Sequence, residues 1–206
     1  MLKWQYLCHI GPTEVAGFGL SNEHDPLRID DILMIRQRAS ICTVAFDDSA
    51  VADLFDRMAD WSIPPQRFAR IWLHTHPGAS VTPSSVDEQT FQRCFGTCDW
   101  AVMAILGRTG RTYARLRFNA GPGSSLVIPT RVDWAGWPYL ADDPSLLLHI
   151  AHWQQEYRTL VEADVARFRE QFSSMPFPDF DPLQPAFSGE VHVSHVDPNA
   201  PPAVRP

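Results

Sequence analysis

The sequence holds no uninterrupted apolar run of membrane-spanning length, and its opening MLKWQYLCHIG has no basic stretch leading into a long apolar segment. Neither a transmembrane helix nor a secretory leader is therefore expected. A positive charge balance is also missing. With 17 Lys and Arg against 24 Asp and Glu the formal net charge is −7, which offers nothing to nucleic-acid phosphates or anionic lipid and suggests a partner with a basic face. Cysteines are few. Cys8, Cys42, Cys94 and Cys98 include no C-x-x-C pair, the tightest spacing being Cys94-Phe-Gly-Thr-Cys98, so structural thiols are expected rather than a zinc knuckle or a disulfide framework. The H-x-E and P-C-x-x-C strings of zinc-dependent nucleobase deaminases do not occur, and no internal repeat is visible. These absences leave a soluble, cytoplasmic protein with no nucleic-acid or membrane role as the expectation.

What is present is a 206-residue chain of 45% apolar and 20% charged residues, enough for one buried core and a modest appendage. Residues 3 to 10 (KWQYLCHI) read as a first strand and Glu14 to Leu20 as a second, interrupted by Gly17 and Gly19. Ile29 to Ile35 and Ser40 to Phe46 read as further strands. Asp47, Asp48 and Ser49 offer cap oxygens, and Val51, Leu54, Phe55 and Met58 recur at helical spacing, predicting a helix over about 48–60 that covers the sheet. The run ARIWLHTH reads as a buried strand stopped by Pro77. Ser84 and Ser85 cap a helix from about Val86, with Asp87 and Glu88 in its first turn, where acidic groups suit the helix dipole. WAVMAIL, residues 100 to 106, reads as a central strand, Thr112 to Phe118 as its hairpin return across Gly107–Gly110, and Leu126 to Val132 as one more.

The C-terminal third differs in character. Leu147, Ile150, Trp153, Tyr157, Leu160, Val161, Val165, Phe168 and Phe172 predict a long amphipathic helix over 144–173, suited to covering the sheet or to a homodimer or partner surface. Prolines, 18 in all, crowd toward the end. Because each removes an amide donor and fixes the backbone, residues 174–206 read as an extended tail. The division expected is a main domain over 1–135, the helix over 144–173, and the tail over 174–206.

Chemistry concentrates in WLHTHPGASVTPSSVDEQTF. His74 and His76, two apart on a strand, leave the same face and can converge on one metal ion. Asp87 follows across a proline- and glycine-containing loop on the opening turn of the next helix, where its carboxylate can return beside the imidazoles. Two nitrogens and one oxygen leave a fourth tetrahedral position for water, as in catalytic rather than structural zinc sites. A His-x-His pair on a strand is also compatible with plain packing, a lone Glu14 with a solvated surface, and Ser84 with nothing beyond a helix cap. His9 reads as a strand residue at an edge, His149 and His152 lie three apart on the long helix outside any evident metal-ligand pattern, and His192 and His195 form an H-x-x-H in the tail that could bind metal only opportunistically.

The order Glu14, then His74-Thr75-His76-Pro77, then Ser84-x-x-Asp87 resembles the signature of the JAMM, or MPN-domain, zinc metalloproteases. The resemblance covers roughly residues 3 to 130. It implies a mixed α/β fold with a curved β-sheet flanked by helices, similar to cytidine deaminases, with the metal at the sheet edge against the helix near Ser85. To that fold this chain adds the long helix and the proline-rich tail. It further implies one Zn2+ held by His74, His76 and Asp87, Glu14 as general base, and Ser84 as hydrogen-bond donor to the developing oxyanion. The activity implied is that of a deubiquitinase-like isopeptidase cleaving the amide after the C-terminus of a ubiquitin-like protein by zinc-activated water. Compact forms resembling this one occur with bacterial ubiquitin-like conjugation systems, so the expected partners are the modifier, its conjugates and proteins of that pathway. Gly17 and Gly19 would leave a slot for an incoming extended chain. A hydrolase processing a sulfur-carrier protein or small peptides, and a noncatalytic MPN scaffold, remain as alternatives. One departure is plain: family members carry a helix before the first strand, and here Glu14 follows only a strand-like stretch, so the 144–173 helix could take that packing position.

Overall fold

The computed structural model describes residues 2–132 and 144–164. Nine strands and five helices run in the order α1 (Leu2–Ile10), β1 (Ala16–Ser21), β2 (Ile29–Leu33), β3 (Gln37–Ala39), β4 (Val44–Phe46), α2 (Asp48–Asp60), α3 (Pro65–Phe68), β5 (Ile71–His76), α4 (Ser85–Phe95), β6 (Trp100–Gly107), β7 (Thr112–Phe118), β8 (Ser124–Val127), α5 (Pro144–Leu160) and β9 (Val161–Ala163). This is a mixed α/β fold. A six-stranded sheet has the order β2-β1-β5-β6-β7-β8, antiparallel except for β5 and β6, which run parallel and are joined through α4. A small second sheet has the order β4-β3-β9. No helix among the described residues is long and apolar enough to cross a membrane.

Side-chain alternation gives the large sheet two different faces. One carries Ala16, Phe18, Trp72, Met103 and Ile105 against Leu54 and Met58 of α2 and Phe91 and Phe95 of α4. The other carries Ile71, Leu73, Val102, Ala104 and Leu106 against Trp4 and Cys8 of α1. Strand β6 is covered on both faces, which is why WAVMAIL is continuously apolar rather than alternating.

Several expectations need correction. Residues 2–10 are a helix, not a strand: Trp4, Leu7 and Cys8 are its buried residues, an i, i+3, i+4 pattern that lays one stripe on the sheet. The N-terminal helix is therefore present, and α5 lies beside it, with Lys3 Nζ 2.9 Å from Glu156 and the Tyr6 and Trp153 rings 6.0 Å apart. Helix α5 stops at Leu160 instead of running to 173, because Val161–Ala163 adds to β3 in parallel, Gln37 opposite Val161 and Ala39 opposite Ala163. Helical periodicity cannot register an open strand edge waiting elsewhere in the fold. Of the run 40–46 only Val44–Phe46 is strand; residues 40–43 are the turn that pairs it with Gln37–Ala39, closed by Ser40 N–H donating to the Thr43 carbonyl at 2.8 Å, and the last strand of the large sheet starts at Ser124 instead of Leu126. The expected tail, 174–206, lies outside the described residues.

Candidate metal centre

Register places the candidate residues. In the antiparallel pair of β1 and β5, Ala16 stands opposite His74. Val15 is bonded twice to Thr75, donating to its Oγ1 at 2.9 Å and accepting from its amide at 2.8 Å. Continuing that register puts Glu14 opposite His76, so Glu14, Ala16, His74 and His76 share the face that α4 covers. The carbonyl of Ser40 fixes the Glu14 backbone, accepting from its amide at 2.8 Å.

Asp87 arrives from the other side. As the third residue of α4 it completes a capping box. Its Oδ2 accepts from the Ser84 amide at 2.6 Å, and its amide donates to Ser84 Oγ at 3.1 Å. One carboxylate thus caps the helix and faces the strand end. The centre lies where β5 ends and α4 begins, at the C-terminal end of an interior parallel strand, not at the sheet edge. Crossover units leave such a crevice at the carboxyl ends of their strands.

The polar groups converge closely. His74 Nε2 is 3.4 Å from Asp87 Oδ1, His76 Nε2 is 3.4 Å from Asp87 Oδ2, and His76 Nε2 is 3.8 Å from Glu14 Oε1. His74 is fully buried, and Asp87 and Glu14 are each 3% exposed. His76 Nδ1 lies 3.0 Å from the Ser80 carbonyl, which can only accept. In the neutral ring the proton therefore sits on Nδ1 and the Nε2 lone pair faces the cluster. The indole of Trp72 stacks on His74, ring centroids 4.2 Å apart, and holds the imidazole flat.

The donor set fits a divalent metal ion. His74 Nε2, His76 Nε2 and Glu14 Oε2 are all buried without a hydrogen-bond partner, which is costly unless something else satisfies them. One ligand atom from each of His74, His76 and Asp87 can be chosen so that all lie within 4.8 Å of one another. A tetrahedral zinc site with bonds of about 2.0–2.1 Å has ligand atoms roughly 3.4 Å apart, and the two imidazole–carboxylate separations are of that size. No other group of three or more His, Cys, Asp or Glu residues among the described residues converges in this way.

Burial and neighbouring charge set the protonation pattern. Burial pushes the Glu14 carboxyl up to about 8, with His76 opposing and Asp87 adding to the rise. Burial lowers His74, partly offset by the Asp87 carboxylate. Burial also opposes charge on His76, but Asp87, Glu14 and the Ser80 carbonyl outweigh it and raise its pKa. Asp87 is partly desolvated, yet His74, His76 and the Ser84 amide hold it well below the usual carboxylate range.

Of the residues singled out from sequence, His74, His76, Asp87 and Glu14 come together, and Ser84 caps the helix beside them. The Ser84 hydroxyl spends its oxygen on the Asp87 amide and keeps its own O–H to donate. Gly17 and Gly19 form no slot beside Glu14, because alternation turns them to the opposite face. There a Cβ on Gly17 would meet the Leu33 carbonyl oxygen at 2.9 Å, and one on Gly19 would meet Ile71 at 3.1 Å. They permit close strand packing instead. His9 on α1 and His149 and His152 on α5 stand apart from the cluster; His192 and His195 lie outside the described residues.

Sequence reading missed Gln37. Its buried side chain accepts from the Ala16 amide at 2.8 Å and donates to the Ala16 and Ile35 carbonyls at 2.8 and 2.9 Å. It thereby pins the strand two residues after Glu14. The available signal was a polar residue at an inward position of an alternating run, between exposed Arg36 and Arg38. No family model matches this chain, and no curated protein matches it.

Proposed function

We propose that this protein is a JAMM-type zinc peptidase or isopeptidase that cleaves the amide following the C-terminus of a ubiquitin-like protein. The observation that carries the hydrolase reading is the buried convergence of His74, His76 and Asp87 with the Glu14 carboxyl 3.8 Å from His76 Nε2. The substrate class rests on the resemblance of the Glu14, H-x-H-P and S-x-x-D pattern alone.

In this reading His74, His76 and Asp87 hold the ion. Bound zinc supplies Lewis acidity, acidifying water and polarising a carbonyl. Glu14 takes a proton from the attacking water and hands it to the departing amine, the two halves of general acid–base catalysis. Without an ion burial holds this carboxyl in its protonated form; a dication on the neighbouring ligands would favour the charged, proton-accepting form. Ser84 donates its free O–H toward the carbonyl oxygen as charge grows there. Gln37 keeps β1, and with it Glu14, in register with His76. Trp72 and the Ser80 carbonyl hold the two imidazoles.

The test is hydrolysis of a ubiquitin-like modifier fused or conjugated through its C-terminus, run with zinc analysis. Wild-type protein is expected to carry one zinc and release the modifier. Glu14→Gln is expected to keep the zinc and lose turnover. A Glu14→Gln protein with unchanged rate refutes the mechanism, whereas a chain that takes up no zinc supports a scaffold instead.

A further inference from the structure

Away from the metal centre, an open groove of about 920 Å³ follows the outer side of α4. It begins at Val86, next to Asp87, and reaches Arg93, roughly 10 Å along the helix axis. Thr43 and Val44 of the β3–β4 hairpin form one flank, and Arg115 and Arg117 of β7 the other. Its charge runs against that of the chain. Three arginines line it, with Glu88 as the single acidic lining residue, in a protein of net charge −7.

The three arginines differ in what they spend. Arg115 is neutralised by Glu88 in a two-pronged pair at 2.8 and 2.6 Å, and its guanidinium sits 5.6 Å from the Phe91 ring centre. Arg117 donates to Gln92 Oε1 and to the Gly96 carbonyl, neither of which carries charge. Arg93 is exposed and has no acidic partner among the described residues. Two uncompensated cations therefore face the groove, beside the apolar surface of Val44 and Val86.

We propose that this groove docks an acidic, apolar-flanked segment of the protein partner whose amide is presented to the metal centre. The docking chemistry stands on the groove alone, and only the presentation of the partner's amide to the metal centre rests on the proposed hydrolase reading. Local electrostatic complementarity selects acidic residues here even though the whole surface repels them. A nucleic acid fits less well. Its densely spaced phosphates meet the chain's net negative charge and the Glu88 carboxylate, and no exposed aromatic ring in the groove offers a stacking platform.

The experiment measures fluorescence anisotropy of three labelled probes with the full chain. The probes are a short peptide alternating glutamate and leucine, its lysine-for-glutamate counterpart, and an oligothymidylate. The glutamate peptide is expected to bind, with Kd weakened roughly tenfold or more by Arg93→Glu and further by Arg117→Glu. Raising salt from about 0.05 to about 0.5 M is expected to weaken it as well. Because Arg117 also supports the end of α4, the exposed Arg93 is the decisive position. Equal binding of the lysine peptide, preference for oligothymidylate, no binding, or an unchanged Kd for Arg93→Glu overturns the proposal. Zinc content, measured on the same samples, keeps the two readings apart: a zinc-free chain that binds the glutamate peptide defeats the metal centre and leaves the groove standing, and a zinc-loaded chain that binds no acidic probe does the reverse.

Discussion

The two faces of the large sheet are built by the same strands and solve opposite problems. On the face under α1, residues 17, 71 and 73 and their neighbours are apolar or have no side chain, and Cys8 lies buried with its thiol near the His76 and Leu106 carbonyls. Burial pushes that thiol up to about 12, so it stays protonated and serves as packing. On the face under α4, residues 14, 74 and 76, one pleat away, are ionisable, converge with Asp87, and leave buried atoms without partners. A core tolerates the first arrangement by itself and the second only with a ligand to satisfy it. The difference localises the candidate metal centre to one side of β1 and β5 at the level of single residues.

Substitutions that exchange the properties of the faces test this. The largest effect expected is Glu14→Gln, which removes the proposed proton carrier and keeps the shape: turnover falls by about 10²- to 10⁴-fold, zinc content and melting temperature staying near wild type. On the opposite face Leu73→Ala costs about 2–5 kcal/mol of folding stability through the cavity it leaves, read by urea denaturation, while the folded fraction still takes up zinc. Gly17→Ala is smaller, about 1–3 kcal/mol, because its Cβ presses on the Leu33 carbonyl and on Ile32. If either of these abolished zinc uptake in folded protein, the faces would not be independent.

A further effect is a pH slope. In the metal-free protein the Glu14 pKa is raised from 4.5 to about 8, so the folded state holds a proton that the unfolded state has released. That contribution is fully present below pH 4.5 and fades as pH rises through about 8. Metal-free wild type is therefore expected to lose stability relative to Glu14→Gln as pH climbs through this window, measured by thermal melts in chelator. Zinc reverses the sense. His76, whose pKa is raised, must give up a proton to offer Nε2, so apparent zinc affinity should rise with pH and loading should release protons.

Much of this was legible in the sequence wherever one local rule decided the outcome. The spacing of Val51, Leu54 and Met58 marks α2, Ser84 with Asp87 marks the start of α4, and the two-residue step from His74 to His76 puts both rings on one face. What was not legible depended on partners distant in sequence. Residues 2–10 are dense enough in apolar groups to read as a strand, and only the finished sheet shows that a helix stripe of Trp4, Leu7 and Cys8 fits across it. The end of α5 is set by the free edge of β3, and the direction of Gly17 by a register shared with Leu73. Glu14 became a site residue through the motif, whereas its burial and its place opposite His76 come from pairing with β5. Gln37 went unnoticed because its role is to satisfy another strand's backbone.

The measurement that bears most directly on the central claim is zinc stoichiometry after reconstitution and desalting, by atomic emission, for wild type, Glu14→Gln, His74→Ala and Asp87→Asn. One zinc per chain in the first two and loss in the last two is the expected result of the proposed centre, in which His74 and Asp87 hold the ion and Glu14 only moves protons. Stoichiometric zinc retained by both His74→Ala and Asp87→Asn, or absent from wild type, would contradict it.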